Sequence, residues 1–239
     1  MGVLNRVLTG RVRKRRRDPD PSSGPVERES EYARLSELSY AGEHGTGKDS
    51  QFRRQFQDSG LRKRYRVERD LSGEDYTTFR DRETGRGVVA FRGTNVKNVG
   101  DLGTDAAILF GLQGLTPRFR AAEDVTRRAI ERFGGMENVD VTGHSLGGAQ
   151  ALHATNKTGV HAVAFNPGAG LPRSFLSKMG LGTLGAVAGL LNRGKLRSGN
   201  ADIITTGIDP ISFFSRTSRG THHLRTPTGL DVHGIENFL

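Results

Sequence analysis

The 239-residue chain has no cysteine. That excludes a disulfide framework, a thiolate metal site and a cysteine nucleophile, while fitting a reducing compartment without forbidding export. Long hydrophobic runs are also missing. The apolar stretch at residues 180–191, G-L-G-T-L-G-A-V-A-G-L-L, is twelve residues long and too short to span a bilayer. No secretory signal is visible, because Val3, Leu4, Val7 and Leu8 are few and are interrupted by arginine. Met1-Gly2 invites a myristoylation reading, but Arg6 stands where that motif needs Ser or Thr. These absences favour an intracellular protein, or a virion-associated one if the source is viral. Acidic residues are absent from residues 1–17, which carry seven Lys/Arg, so much of the net charge of +10 sits there.

What is present organises the rest. Arg11, Arg13, Lys14, Arg15, Arg16 and Arg17 form a basic run open to three uses: a nuclear address, a nucleic-acid arm or an anchor on an anionic membrane surface. A solvated, disordered tail explains it equally well. D-P-D-P-S-S-G-P-V (18–26) reads as a linker, so residues 1–26 are expected to be a basic tail and residues 27–239 one domain. With 34% hydrophobic residues and 33 glycines, that domain should be compact and turn-rich rather than a helical bundle.

Tyr32, Leu35 and Leu38 recur with helical spacing from about Glu27. Arg64–Arg69 and Asp75–Arg80 read as short strands. G-V-V-A-F (Gly87–Phe91) is apolar throughout, as a strand covered on both faces should be. Residues 118–133 carry Phe119, Ala122, Val125, Ala129, Ile130 and Phe133 on one side, predicting a helix that Gly134 ends. A strand over Asn138–Thr142, a small-residue helix over Leu146–Asn156, and strands at His161–Phe165 and Ala201–Thr206 follow. That alternation predicts an α/β fold with a mostly parallel sheet and crossover helices.

Between that strand and that helix lies V-D-V-T-G-H-S-L-G-G-A-Q, which contains G-x-S-x-G at Gly143–Gly147. The pattern alone is cheap in a glycine-rich chain. Its context is not: a serine on a sharp strand-to-helix turn needs very small neighbours and points its oxygen out of the sheet. Ser145 is therefore the candidate nucleophile. The helix N-terminus behind it aims free N–H groups at the site, so the Leu146 amide can stabilise an oxyanion.

V-V-A-F-R-G-T (Val88–Thr94) together with V-T-G-H-S-L-G-G-A closely resembles the two best-marked motifs of the class 3 lipases, which are α/β-hydrolases. Tyr40 in L-S-Y-A resembles their N-terminal helix, and Asp101 and Asp105 resemble the acidic pair after their oxyanion strand. Asp209 in G-I-D-P-I-S resembles their acid loop, and His233 their late histidine. The resemblance implies an α/β-hydrolase fold and ester hydrolysis with no metal or cofactor. It also implies that Thr94 supplies the second half of the oxyanion hole, and Thr94 does follow a buried strand whose carboxyl end should face the site.

The order in this superfamily is serine, acid, histidine. Of the acids after Ser145, Asp202 opens a strand at the wrong end of the sheet, and Asp231 lies only two residues from His233. Asp209 follows the strand I-I-T-T in a turn closed by Pro210 and is the expected acid. His222, His223 and His233 remain as bases. His233 is expected, with His223 as the alternative. Residues 103–117 stand where class 3 lipases carry a lid. The insert at 180–191, flanked by Lys178, Arg193, Lys195 and Arg197, reads as an interfacial helix or a packing helix. Together they predict a glycerolipid or phospholipid substrate, with anionic membrane contacts through residues 11–17 and 178–197. A catalytically silent hydrolase-like binding module, or a thioesterase or peptidase on the same fold, remains open at this level.

Overall fold

The computed structural model of the protein describes residues 25–41, 50–93, 112–168, 200–206, 220–227 and 234–239. The basic tail, Thr94, Asp101, Asp105, residues 103–111 of the stretch expected as a lid, the insert at 178–197, Asp209 and His233 lie outside the described residues.

Seven strands form one sheet in the order in which they occur: β1 (Tyr65–Val67), β2 (Tyr76–Asp81), β3 (Gly87–Phe91), β4 (Val139–His144), β5 (His161–Phe165), β6 (Ala201–Thr206) and β7 (Thr221–Arg225). The first three pair antiparallel, and β3 to β7 run parallel. Among the described residues four helices accompany them: α1 (Pro25–Leu38), α2 (Ser50–Asp58), α3 (Leu112–Phe133) and α4 (Leu146–Thr158). The crossovers β3-α3-β4 and β4-α4-β5 step in the same direction along the sheet. Their helices therefore share one face, and they pack on each other there.

Alternation along the central strands divides the core in two. Val89, Phe91, Val139, Val141, Ala162, Ala164 and Ile203 point to α3 and α4, where they meet Ala122, Val125, Ala129, Ala151 and Ala154. Val88, Ala90, Val163, Phe165 and Ile204 point to the opposite face, where α1 and α2 contribute Tyr32, Leu35, Leu38, Phe52 and Phe56. All five residues of β3 and all six of β4 are buried. Each fully buried large aliphatic or aromatic side chain contributes about 1.5–3 kcal/mol, and β3 adds three of them in Val88, Val89 and Phe91.

Helix α1 is also fastened by polar contacts. Tyr32 donates to Asp140 at 2.6 Å, the Ser36 hydroxyl lies 2.9 Å from that of Thr142, and Ser39 donates to the Phe91 carbonyl at 3.2 Å. Two expectations shift, and one element is new. Helix α1 begins at Pro25, inside the segment read as linker, because proline suits the first helical position, where its missing N–H would have had no partner. Helix α3 begins six residues earlier than the apolar periodicity indicates and carries Pro117 within it. Helix α2 has no counterpart in the sequence reading: S-Q-F-R-R-Q-F-Q-D holds only Phe52 and Phe56 as a hydrophobic pair, too short a pattern to register.

Candidate active site

The register lines Phe91, Gly143, Ala164 and Ile203 up across β3 to β6, so the carboxyl ends of these strands finish together. Ser145 stands one residue past the end of β4, at that edge. Its backbone has φ 56° and ψ −122°, outside the ordinary regions for an L-residue. Only Ser145 and Asn166 have positive φ among the described non-glycine residues, and they sit beside each other at the ends of β4 and β5. Strain of this kind costs on the order of 1–3 kcal/mol and persists where the surroundings over-determine it.

The surroundings do so here. A Cβ on Gly143 would fall on the Gly147 carbonyl, and a Cβ on Gly147 on the Phe91 carbonyl, so neither position has room for a side chain. Each strand end then passes a hydrogen bond sideways: the Ser145 N–H donates to the Phe165 carbonyl at 3.0 Å, and the Asn166 N–H to the Ile204 carbonyl at 2.8 Å. The Ser145 carbonyl accepts from Gly168 at 2.9 Å and from Ala149 at 3.1 Å. Because a trans peptide places its C=O and N–H on opposite sides, a carbonyl held along α4 sends the Leu146 N–H out of the helix N-terminus. That orientation suits an oxyanion donor.

On the other side, the exit of β3 is clamped. The Arg92 carbonyl accepts from Arg118 at 2.9 Å and from Gln150 at 3.2 Å, and Arg118 pairs with Asp75 at 2.7 Å. Tyr40, just beyond α1, donates its hydroxyl to the His144 carbonyl at 3.1 Å and lies 3.2 Å from His144 Nδ1. The same hydroxyl packs against Gly93, where it would collide with an added Cβ, and burial holds its pKa well above the ordinary phenol value. Thr94 follows Gly93 directly.

Asn166 was not singled out by sequence reasoning. It is fully buried, and its Oδ1 accepts the backbone N–H of Thr206 at 2.9 Å, tying the end of β6 to the end of β5. Asp209 lies three residues past that tie. A lone asparagine after a strand carries no signal by itself; F-N-P-G, with a turn-forming residue between an apolar strand and proline, was the available hint.

The alternative histidine is engaged elsewhere. His223 Nε2 lies 3.2 Å from Asp202 Oδ1, on β7, three strands from β4 and so about 14 Å away at the usual strand spacing. Asp202 also meets His161 Nε2 at 3.2 Å. The His161 hydrogen bond is the main cause that lowers the pKa of Asp202, working against partial burial and helped by His223. His222, its neighbour on β7, is exposed. Among the described residues no group of three or more His, Cys, Asp or Glu could hold a metal ion, and no helix is long and apolar enough to cross a membrane.

A strained serine between a parallel strand and a helix, at the carboxyl edge of a mixed sheet, is the arrangement of the α/β-hydrolase fold. A phospholipase-like family model, the Tle-like phospholipase domain, matches residues 31–188. No curated protein matches the chain significantly. Among solved structures the chain is similar to RedJ, solved with a polyethylene glycol molecule in its active site, at 17% identity over 45% of this chain and 58% of that one, with a TM-score of 0.26. It is also similar to EstE1, a thermophilic and thermostable carboxylesterase cloned from a metagenomic library, at 18% identity over 64% of this chain and 62% of that one, with a TM-score of 0.32. The chain thus spans about three fifths of the length of these two proteins.

Proposed function

The chain belongs to the family of the Tle-like phospholipase domain, and from that premise we propose that it is a serine hydrolase cleaving an acyl ester of a phospholipid or other glycerolipid. The observation that carries this reading is Ser145 at φ 56°, held between two glycines that admit no side chain, at the N-terminus of α4. Strain is retained where a side chain must be presented in one direction, and a nucleophile is such a side chain.

In this reading His233 takes the proton from Ser145 as its oxygen attacks the ester carbonyl. Asp209 holds the imidazole in the productive tautomer and stabilises its charged form. The amides of Leu146 and Thr94 receive the oxyanion of the tetrahedral intermediate. His233 then protonates the leaving alcohol, and water, activated by the same histidine, clears the acyl-enzyme. His233 is preferred to His223 because the latter's imidazole is bonded to Asp202. Asp209 is preferred because the Asn166 bond fixes the end of β6 beside the elbow, three residues before it. Within the superfamily, V-V-A-F-R-G-T and V-T-G-H-S-L-G-G-A support a kinship with class 3 lipases. The apolar segments at 103–117 and 180–191 favour long acyl chains, and the basic residues at 11–17 and 178–197 favour an anionic membrane surface.

Turnover of p-nitrophenyl esters of increasing chain length, and of phospholipid in anionic and neutral vesicles, tests this. The expected result is activity rising with chain length and lost by a factor of about 10⁴ or more in both Ser145→Ala and His233→Ala, with His223→Ala near wild type. Equal inactivity of wild type and Ser145→Ala would overturn the enzyme reading. A preference for short chains would overturn the lipid substrate alone.

A further inference from the structure

The oxyanion hole of the proposed mechanism is assembled from two separate pieces of chain. One follows β3 at Gly93, and the other follows β4 at His144. Two donors on different loops act on one oxygen only if the loops keep a fixed separation, since a displacement of about 1 Å at a reacting centre can cost a hundredfold in rate. The sheet sets the spacing of Phe91 and Gly143 by direct pairing, but that pairing stops there. Arg92 turns away, donating its N–H to the Asp75 carbonyl at 2.9 Å, and Ser145 donates its own to Phe165 at 3.0 Å. Beyond the ladder some other group must bridge the two loops.

The Tyr40 hydroxyl is placed to do so. It donates to the His144 carbonyl at 3.1 Å and packs directly against Gly93. Its ring lies against the His144 imidazole, with centroids 6.2 Å apart. A Cβ added to Gly93 would collide with the Tyr40 hydroxyl and come within 2.7 Å of the His144 carbonyl oxygen, so the three groups are in close contact. If His144 carries its proton on Nδ1, the imidazole donates to the same hydroxyl, which then holds both the ring and the carbonyl of His144.

We propose that Tyr40 is a positioning residue for catalysis: its hydroxyl sets the separation between the two halves of the oxyanion hole by packing on Gly93, the residue before Thr94, while bonding the His144 carbonyl, in the peptide that enters Ser145. This rests on the serine-hydrolase reading above. Tyr40 touches no reacting atom and acts only through Gly93 and His144. Because burial keeps the phenol neutral well beyond its ordinary range, the bridge does not open across the working pH of a histidine-dependent hydrolase.

Tyr40→Phe removes the hydroxyl and keeps the ring. Ser39→Ala serves as the control: it cuts a bond from the same stretch of chain to β3, at the Phe91 carbonyl, without spanning the two loops. The readouts are kcat and KM for a p-nitrophenyl ester, the rate of fluorophosphonate labelling, and inhibition by a trifluoromethyl ketone, which forms an oxyanion adduct on the serine. Tyr40→Phe is expected to lower kcat and the labelling rate by about ten- to a hundredfold, with KM within about twofold, and to weaken the ketone by the same factor. Ser39→Ala is expected to lower the melting temperature with kcat unchanged. Should Tyr40→Phe not fold, Gly93→Ala, which pries the same contact apart while keeping the hydroxyl, is expected to show the same loss of kcat. Wild-type kcat in a folded Tyr40→Phe, or equal losses in Tyr40→Phe and Ser39→Ala, overturns the proposal while leaving the hydrolase reading intact. A wild-type protein that the fluorophosphonate does not label at Ser145 overturns both.

Discussion

At Ser145 the requirements of folding and of the proposed chemistry pull apart. A backbone at φ 56° and ψ −122° disfavours any residue with a Cβ, yet the position holds serine. Ser145→Gly should relieve the strain and Ser145→Ala should keep it. In urea unfolding, the glycine variant is therefore expected to be more stable than the alanine variant by about 1 kcal/mol, after glycine's own entropic cost is subtracted. Equal midpoints would mean that the turn stores no strain. Asn166 offers a second case. Asn166→Ala keeps the positive φ, removes the amide that accepts the Thr206 N–H, and leaves that N–H buried. A loss of about 1–3 kcal/mol is expected, together with a fall in ester turnover if the end of β6 positions Asp209. Thermal melts and kinetics on the same preparation check both parts. The serine was legible in the sequence because its local context is itself a motif. Asn166 was not, since its role depends on a strand forty residues away.

Among the elements, strands with strong local patterns were readable. G-V-V-A-F and H-A-V-A-F mark β3 and β5, because residues buried on both faces leave apolar runs, and the β-branched I-I-T-T marks β6. The early start of α3 and the existence of α2 were not, because both depend on packing against the rest of the chain rather than on a repeating apolar face. The contacts that join elements were equally hidden. Asp202 opens its strand at the end of the sheet away from Ser145, and there it clasps β5 and β7 through His161 and His223. Its pKa is lowered chiefly by the His161 hydrogen bond, so the folded state favours the carboxylate. The resulting stability is fully present above the ordinary aspartate pKa of about 4 and is lost as the pH falls through the lowered folded value. Urea unfolding of wild type and Asp202→Asn between pH 7 and pH 3 should show a gap that is widest at neutral pH and closes in acid. A gap independent of pH would contradict the clasp.

The whole molecule has one organising feature: parallel strands added in sequence order, with α3 and α4 on one face and α1 on the other. That order brings the ends of β3, β4, β5 and β6 to one edge, each contributing a different part of the proposed site. The α/β class and the elbow were readable from the sequence, as was the identity of the strand before Thr94. The contact of Tyr40 with two of these strand ends was not, because a side chain in the N-terminal helical region meets residues more than fifty and a hundred positions away. The most direct test of the account is to treat the full chain with a fluorophosphonate, digest it and map the adduct. The account predicts a single phosphonylated peptide carrying Ser145, absent after denaturation before treatment and absent from Ser145→Ala. No adduct on the folded protein, or an adduct on another residue that persists in Ser145→Ala, would contradict it.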